Sequence, residues 1–479
     1  MSKFIESDRS QKNLEFFDSI ANERDFWIER NRYFYEEDWK YSRFLIPEGH
    51  CVLEVGCGTG QLLNALNPIK GVGIDFSQAM VEQARTNFPQ FEFYHFDAMV
   101  SDGYKKINGP FDYIIISDSI GLFCDCFAVL DALHQVCTAK TRIIVSYYNF
   151  FWDPILRLGT NLGARMPQVE GNYLSSRDIK NILDLADFEV VATESRLLLP
   201  KRLGGIAPLF NKYVATLPLI RNVSLRNYVT ARPARDLEEP GLSCTILIPC
   251  RNEKGNIETA IQRLPKFCDD IEVIFVEGHS QDGTFEECKR VQKSYPDWNI
   301  KVMQQPGKGK GDAVQAGFLD AEGDVLMILD ADLTVPPEDL PKFYRAIIDG
   351  KGEFINGSRL VYPMENQAMR FLNLCANWVF ARIFSYLLNQ RYTDTLCGTK
   401  VIRKHHYQMI IKNRSFFGDF DPFGDFDLIF GAAKLGLKVA EIPIRYASRS
   451  YGETQISRFS HGWLLLKMVV FAFRKLKAI

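Results

Sequence analysis

No two cysteines in this 479-residue sequence stand at CxxC spacing, although there are eleven of them. An odd, scattered set of that kind excludes a disulfide framework and a zinc ribbon, and predicts a reducing, cytoplasmic setting. Cys124 and Cys126 are two apart, but no second Cys/His pair completes a tetrahedral metal site, so they read as ordinary thiols. An apolar leader is missing too, the first residues being MSKFIESDRSQKN. No stretch approaches the ~20 apolar residues that cross a bilayer, so any membrane contact is expected to be peripheral or through a partner. There is little net charge, formally -2. Residues 1–240 carry 26 Lys+Arg against 31 Asp+Glu, and residues 241–479 carry 31 against 28. An acidic first half is not a nucleic-acid surface, which needs clustered Lys and Arg. With 46% apolar and 24% charged residues the composition is that of folded globular protein, long enough for two large domains.

The periodicity turns over twice. Residues 4–45 predict a helical arm, with Phe16, Phe17, Ile20, Trp27, Phe34 and Trp39 among charges. From Cys51 to about Tyr148, short apolar strands (CVLEV, GVGID, FEFYHFD, FDYIIIS, RIIVSYY) alternate with helical stretches, the pattern of a parallel α/β sheet. SSRDIKNILDLADF predicts a capped helix and FEVVATESRLLLP a strand pair completing that domain. ARPARDLEEPG, residues 231–241, then interrupts the pattern with two prolines, a glycine and dense charge, predicting a linker between a domain at 1–230 and another at 242–479. A second alternation starts at SCTILIP. The expected fold class is therefore α/β, two successive Rossmann-like domains.

In the first domain the decisive stretch is CVLEVGCGTGQLL: a strand with Glu54, then Gly56, Gly58 and Gly60, then a helix. Glycines of this kind let backbone pass under a ligand and turn into a helix N-terminus. The dinucleotide fingerprint would require glycine at position 61, which is Gln61, and this argues against NAD or FAD. Asp75 ends the next strand, placed to accept from a ribose diol, and Asp97 ends the third, at a position suited to an adenine amino group. These elements resemble class I S-adenosylmethionine-dependent methyltransferases over roughly residues 40–200. The resemblance implies S-adenosylmethionine as cofactor, bound by Glu54, Gly56, Gly58, Gly60, Asp75 and Asp97. Tyr147, Tyr148, His95 and Asp118 read as core residues before they read as a methyl-donor lining.

In the second domain, Arg251, Asn252 and Glu253 follow a buried strand, and IEVIFVEGHSQDGT ends a strand at Glu277. QPGKGKGDAVQAGF puts Lys308 and Lys310 in a glycine-rich loop entering a helix, a suitable place for phosphate oxygens. GDVLMILDADL delivers Asp330 and Asp332 at a strand end, where two carboxylates one residue apart can share Mg²⁺ or Mn²⁺ on a pyrophosphate. The series resembles family 2 glycosyltransferases of the GT-A fold, and among them the dolichyl- or polyprenyl-phosphate sugar synthases, over about residues 242–460. The resemblance implies a nucleotide sugar held by Glu253, Glu277, Lys308 and Asp330, and a metal-pyrophosphate motif at Asp330 and Asp332. Where the family usually has VDDGS, this chain has Val276, Glu277, Gly278, His279 and Ser280, leaving uridine against guanosine open and His279 either a base contact or a surface substitution.

The resemblance extends to DTLCGTK from Asp394 and to GDFDLIFGAAKLG, which places Asp425 and Asp427 near the acceptor as general bases for a hydroxyl. Asp394 joins Asp332, Asp425 and Asp427 as a candidate catalytic residue. A lipid phosphate acceptor, with its second pKa about 6, needs no strong base, and Arg359, Arg370, Arg445 and Arg449 become the groups to hold it. From Gly462 to Lys477 the chain predicts a basic amphipathic helix, either on a membrane surface or packed on the domain with a solvated basic end. The expectation is a bifunctional cytoplasmic enzyme, methyltransferase plus inverting sugar transferase acting on a polyprenyl-phosphate-type acceptor, with peripheral membrane contact and no nucleic-acid partner. The alternatives are a soluble or glycan acceptor, or a first domain that only binds its cofactor or serves assembly.

Overall fold

The computed structural model describes residues 2–479 except 170, 173, 236, 362–370, 414–425, 448–450 and 452–457. The chain divides into two units, Met1–Asp236 with Lys477–Ile479, and Leu237–Leu476.

The first unit is a seven-stranded sheet made of β1 (Cys51–Val55), β2 (Lys70–Asp75), β3 (Glu92–His95), β4 (Tyr113–Ser117), β5 (Arg142–Tyr148), β6 (Phe188–Arg196) and β7 (Arg226–Pro233). Its order is β3-β2-β1-β4-β5-β7-β6. All neighbours are parallel except β7, which runs antiparallel to β5 and β6. The near-continuous apolar runs of β1, β4 and β5 follow from burial of both sheet faces. Leu53, Val55, Ile114, Ile116 and Val145 enter one core cluster, while Val52, Ile115 and Ile144 point into another across the sheet. FEVVATESRLLLP does not form the expected strand pair. It supplies β6 alone, and the partner is β7, whose last residues Ala231, Arg232 and Pro233 begin the segment read as a linker. Polar residues mask β7 in sequence, because Arg226, Asn227 and Arg232 are buried by pairing rather than by apolarity.

The arm forms two helices, Ser2–Arg30 and Arg32–Leu45. Asp25 accepts from Thr59 Oγ1 at 2.6 Å, and Asp18 from Ser77 Oγ at 2.6 Å, so this helix is tied to the glycine turn and to the turn after β2.

The second unit repeats the plan with β8 (Cys244–Cys250), β9 (Ile271–Glu277), β10 (Asn299–Gln304), β11 (Val325–Ile328), β12 (Phe354–Ser358), β13 (Lys400–Arg403) and β14 (Val439–Pro443), in the order β10-β9-β8-β11-β13-β12-β14. Strand β13 runs antiparallel to β11 and β12, a reversal the alternation did not predict. In each sheet the first strand stands between the second and the fourth in order of sequence, so a switch point opens between β1 and β4, and between β8 and β11. Ligands of open α/β sheets bind at the carboxyl ends of the strands there.

The last helix, Arg458–Ala472, continues into a wider turn at Phe473–Lys477. Leu465, Met468 and Ala472 are buried, whereas Trp463, Leu466 and Val470 are exposed beside Lys467 and Arg474. The helix thus packs one face and shows a second apolar stripe to solvent. Lys477 is not part of its solvated basic end: it groups with the first unit, buried, and donates to Glu194.

Candidate active sites

In the first unit the chain leaves β1 through Gly56 (φ +78°) and Gly58 (φ +52°) and enters the helix Gln61–Leu66 at Gly60. A Cβ on Gly56 would lie 2.6 Å from Ser119 Cβ, so packing alone requires glycine there. A Cβ on Gly58 would meet nothing within 4 Å. Gly58 borders a cavity of about 290 Å³ that Asp75, Asp97, Asp118, Tyr148 and Arg24 also line. Asp75 fixes the turn, its oxygens accepting from the amides of Gly58 (2.8 Å) and Ser77 (2.9 Å). Burial raises its pKa, against those amides. Asp97 accepts from Met99 N at 3.0 Å and faces the same space.

Beyond β4 and β5 the lining changes character. Asp118, in a left-handed conformation (φ +59°), bonds Arg226, whose Nε also donates to Asp38 at 2.8 Å. Burial raises the Asp118 pKa, with Arg226 opposing. The Arg165 guanidinium stacks 4.7 Å over the Tyr148 ring, which itself stacks on Phe34. Arg24, from the arm, donates to Tyr35 Oη at 3.3 Å; burial disfavours its charge, but Tyr35 and Asp118 hold its pKa above the ordinary value. The cavity thus carries Asp75 and Asp97 under the ends of β2 and β3, and Asp118 together with Arg24 and Arg165 in the rest of its lining.

In the second unit the turns after β8 and β9 are laced together. Asn252 N donates to Ser280 Oγ at 2.9 Å, Gln281 N to Asn252 Oδ1 at 2.9 Å, and Glu253 N to Thr284 Oγ1 at 3.1 Å. Glu277 is buried and accepts from Ser280 N at 2.5 Å and Gln304 Nε2 at 3.1 Å. Burial would raise its pKa, yet these donors hold it low. His279 spans to the next loop, a ring nitrogen 3.1 Å from the Gln305 carbonyl oxygen. Lys308 is exposed in that loop.

Asp330 pairs with Lys310 at 2.7 Å; burial opposes its charge, but Lys310, Lys400 and Arg359 keep its pKa below the usual range. Asp332 accepts on Oδ1 from Thr334 N (3.1 Å) and Oγ1 (2.8 Å). Gly398 presses on this pair, since a Cβ there would sit 1.8 Å from Asp330 Oδ2 and 2.7 Å from Lys310 Nζ. Among the described residues no group of three or more His, Cys, Asp or Glu side chains is placed to hold a metal. Two carboxylates nonetheless fit a small hard cation that takes its other ligands from phosphates and water.

Residues 27–193 match the family model described as Methyltransferase domain, and residues 245–413 match Glycosyl transferase family 2. The chain is 30% identical over 222 residues to a dolichyl-phosphate hexose transferase of Haloferax volcanii, covering 46% of this chain and 89% of that one. The chain belongs to glycosyl transferase family 2. A methyltransferase domain precedes the family 2 domain. A dolichol-phosphate mannosyltransferase of Pyrococcus furiosus is 28% identical over 222 residues, 45% of this chain, which spans only 59% of that enzyme. A Thermotoga maritima structure described as an S-adenosylmethionine-dependent methyltransferase, possibly a histamine N-methyltransferase, aligns at 16% identity over 46% of this chain and 98% of its own, with a TM-score of 0.35. The fold class rests instead on the two strand orders: the class I methyltransferase fold, then the GT-A fold.

Several expected site residues of this transferase are engaged by bonds or packing of their own. Glu54 does not line the methyltransferase cavity. It is buried and accepts from Leu63 N at 3.0 Å, supplying the side-chain cap that Gly60 cannot give its helix, and burial pushes its pKa well up. Asp394 and Arg359 are engaged with each other. Arg359 Nε and Nη2 reach Asp394 Oδ2 (2.6 Å) and Oδ1 (2.9 Å), and the amides of Arg359 and Leu396 complete the carboxylate's shell. Gly60 likewise acts through its packing against Phe93. Asp427 is half-buried on the helix Phe426–Lys434, and Arg445 is exposed after β14. Asp425, Arg370 and Arg449 lie outside the described residues. Arg24 and Arg165 were not placed from sequence as site cations, whereas Lys310 was placed with Lys308 in the phosphate-suited loop. Lys310 carried a signal, its place in the GKGKG loop, while an arm arginine carries none.

Opening a buried, fully bonded ion pair from one side strands a charge. Arg359→Ala in the glycosyltransferase domain is therefore expected to cost about 3–5 kcal/mol of stability, read as an earlier urea transition. An unchanged transition with lost sugar transfer would return Arg359 to the acceptor site.

Proposed function

We propose that the chain is a bifunctional transferase. Its first domain moves a methyl group from S-adenosylmethionine, and its second moves a sugar, with inversion, from a nucleotide to a polyprenyl-phosphate-type acceptor. The observation carrying the methyl half is the open space over Gly58 between Asp75 and Asp97: a cradle that a side chain would fill, floored by backbone and edged by two acids suited to ribose and adenine. Displacement at a sulfonium methyl is in-line, so holding the two reactants in register supplies much of the rate. Asp118, which lines the cavity and is paired with Arg226, is the candidate to take the acceptor's proton.

For the sugar half, Glu253 and Glu277 stand at the ends of β8 and β9, and Asp330 and Asp332 at the end of β11, on the same edge of the sheet. Asp330, paired with Lys310, and Asp332, bonded by Thr334, are the two carboxylates for a divalent cation, with Asp332 as its principal ligand. When bound, that cation would neutralise pyrophosphate charge as the nucleoside diphosphate departs. A phosphate acceptor is anionic near neutrality and can attack the anomeric carbon without a general base. Exposed Arg445 remains a candidate to hold it among the described residues. The exposed Trp463, Leu466 and Val470 stripe, with Lys467 and Arg474, suits peripheral contact with the membrane carrying such a lipid.

The test compares a polyprenyl phosphate with the corresponding polyprenol, each with several sugar nucleotides. Sugar transfer to the phosphate but not to the alcohol is expected. Equal use of both, or transfer only to a soluble glycan, contradicts the acceptor assignment.

A further inference from the structure

Two helical segments of the first unit turn their apolar sides outward. The helix Asp153–Asn161 buries none of its residues, although Ile155, Leu158 and Leu162 fall on one stripe and all are exposed. Ile206, Leu209, Phe210 and Tyr213 repeat the pattern at helical spacing, again exposed. Between and beside these stripes stand Phe151 at 74% exposure and Leu219 at 87%. A helix on a globular domain normally aims such a stripe at the core, and a contiguous exposed one marks a partner. The chain just before the first helix is bonded to the end of the second segment: Trp152 Nε1 donates to Val223 O at 2.8 Å, and Asn149 Nδ2 to Asn222 O and Ser224 O, both at 3.0 Å. Both contribute to the lining of the cavity, Ile155 and Leu156 from the first and Pro200 and Lys201 from the second.

Charge selects the partner. Residues 199–223 carry no acid, and besides Arg221, which pairs with Glu194 at 4.0 Å, they carry Lys201, Arg202 and Lys212, within a half-chain that is net acidic. In residues 150–163 the one acid, Asp153, is paired with Arg157 at 2.8 Å. A second copy of the chain is a poor occupant, because a two-fold contact would set these cations against their own images. An anionic lipid surface accepts both the apolar stripes and the cations between them.

We propose that residues 150–163 and 199–223 form a docking surface for an anionic bilayer, seating the mouth of the methyltransferase cavity at the lipid surface. The consequence for catalysis rests on the methyltransferase reading: the acceptor is then membrane-borne or amphiphilic, entering past Ile155 and Lys201.

Flotation with phosphatidylcholine vesicles, with and without phosphatidylglycerol, tests this on the full chain carrying Trp463→Ser, which weakens the second domain's own apolar stripe. Binding to the anionic vesicles, diminished by salt, is expected. The added pair Phe151→Ser and Leu219→Ser should weaken it at least tenfold, as should Arg202→Gln with Lys212→Gln. None of these four side chains lines the cavity, so S-adenosylhomocysteine affinity by calorimetry should not change. Unaltered flotation in both variants overturns the proposal, as does a concentration-dependent dimer that ignores vesicles and is broken by the same changes. Failure of S-adenosylhomocysteine to bind any of these proteins would defeat the methyltransferase reading and leave the flotation result standing, whereas normal binding without flotation defeats the docking surface alone.

Discussion

Asp332→Asn lowers sugar transfer by at least about a hundredfold, or about 2.7 kcal/mol of barrier, and leaves methyl transfer untouched. The substitution keeps an oxygen that can accept from Thr334 N and Oγ1, so the local turn should survive. What disappears is the negative charge of one of the two carboxylates that would face the cation. Chelation should reproduce the effect on sugar transfer in the unaltered chain, while transfer from a sulfonium proceeds without metal. The measurement is release of nucleoside diphosphate alongside methyl incorporation from labelled donor. Full sugar transfer in Asp332→Asn or in excess chelator would remove the carboxylate pair from the mechanism.

Gly58→Val is the converse change. Nothing lies within 4 Å of the new Cβ, and the left-handed backbone at φ +52° is expected to cost about 1–2 kcal/mol of folding. Its branches fill the space over the turn that a donor would occupy, and S-adenosylhomocysteine affinity should fall at least about a hundredfold, close to 2.7 kcal/mol. Asp75→Ala should also weaken binding, through the lost ribose acceptor and the lost bond to Gly58 N. Calorimetric titration decides: affinity unaltered in Gly58→Val places the donor elsewhere. Sugar transfer should be indifferent to both changes.

The legible parts of the fold were those carried by apolar period and glycine spacing. Strands such as CVLEV and FDYIIIS are buried on both faces and announce themselves. Strand β7 does not, because its arginines are buried by Asp38, Asp118 and Glu189, partners that only the folded chain brings near. The same limit governs the sites. Gly58, Asp75 and Asp97 sit at strand ends that the motif marks, and they line one cavity. Glu54 has the same motif position but spends its carboxylate on a helix amide, and Asp394 with Arg359 forms a closed pair. Spacing names the residues near a site, whereas hydrogen-bond saturation decides which remain able to touch a ligand. Arg24 and Arg165 show the reverse case, side chains from the arm and a distant loop that no local pattern connects to the glycine turn.

Product-resolved mass spectrometry tests the central claim of two separable transferases in one chain. The full-length protein is incubated with isotopically labelled methyl donor, a panel of sugar nucleotides, a divalent cation and polyprenyl phosphate embedded in anionic vesicles. The account predicts a polyprenyl-phosphate sugar that vanishes in Asp332→Asn and persists in Gly58→Val, together with a methylated product that shows the opposite dependence. Loss of both products in either variant, or absence of any sugar-bearing lipid phosphate while a soluble glycosylated product accumulates, would contradict it.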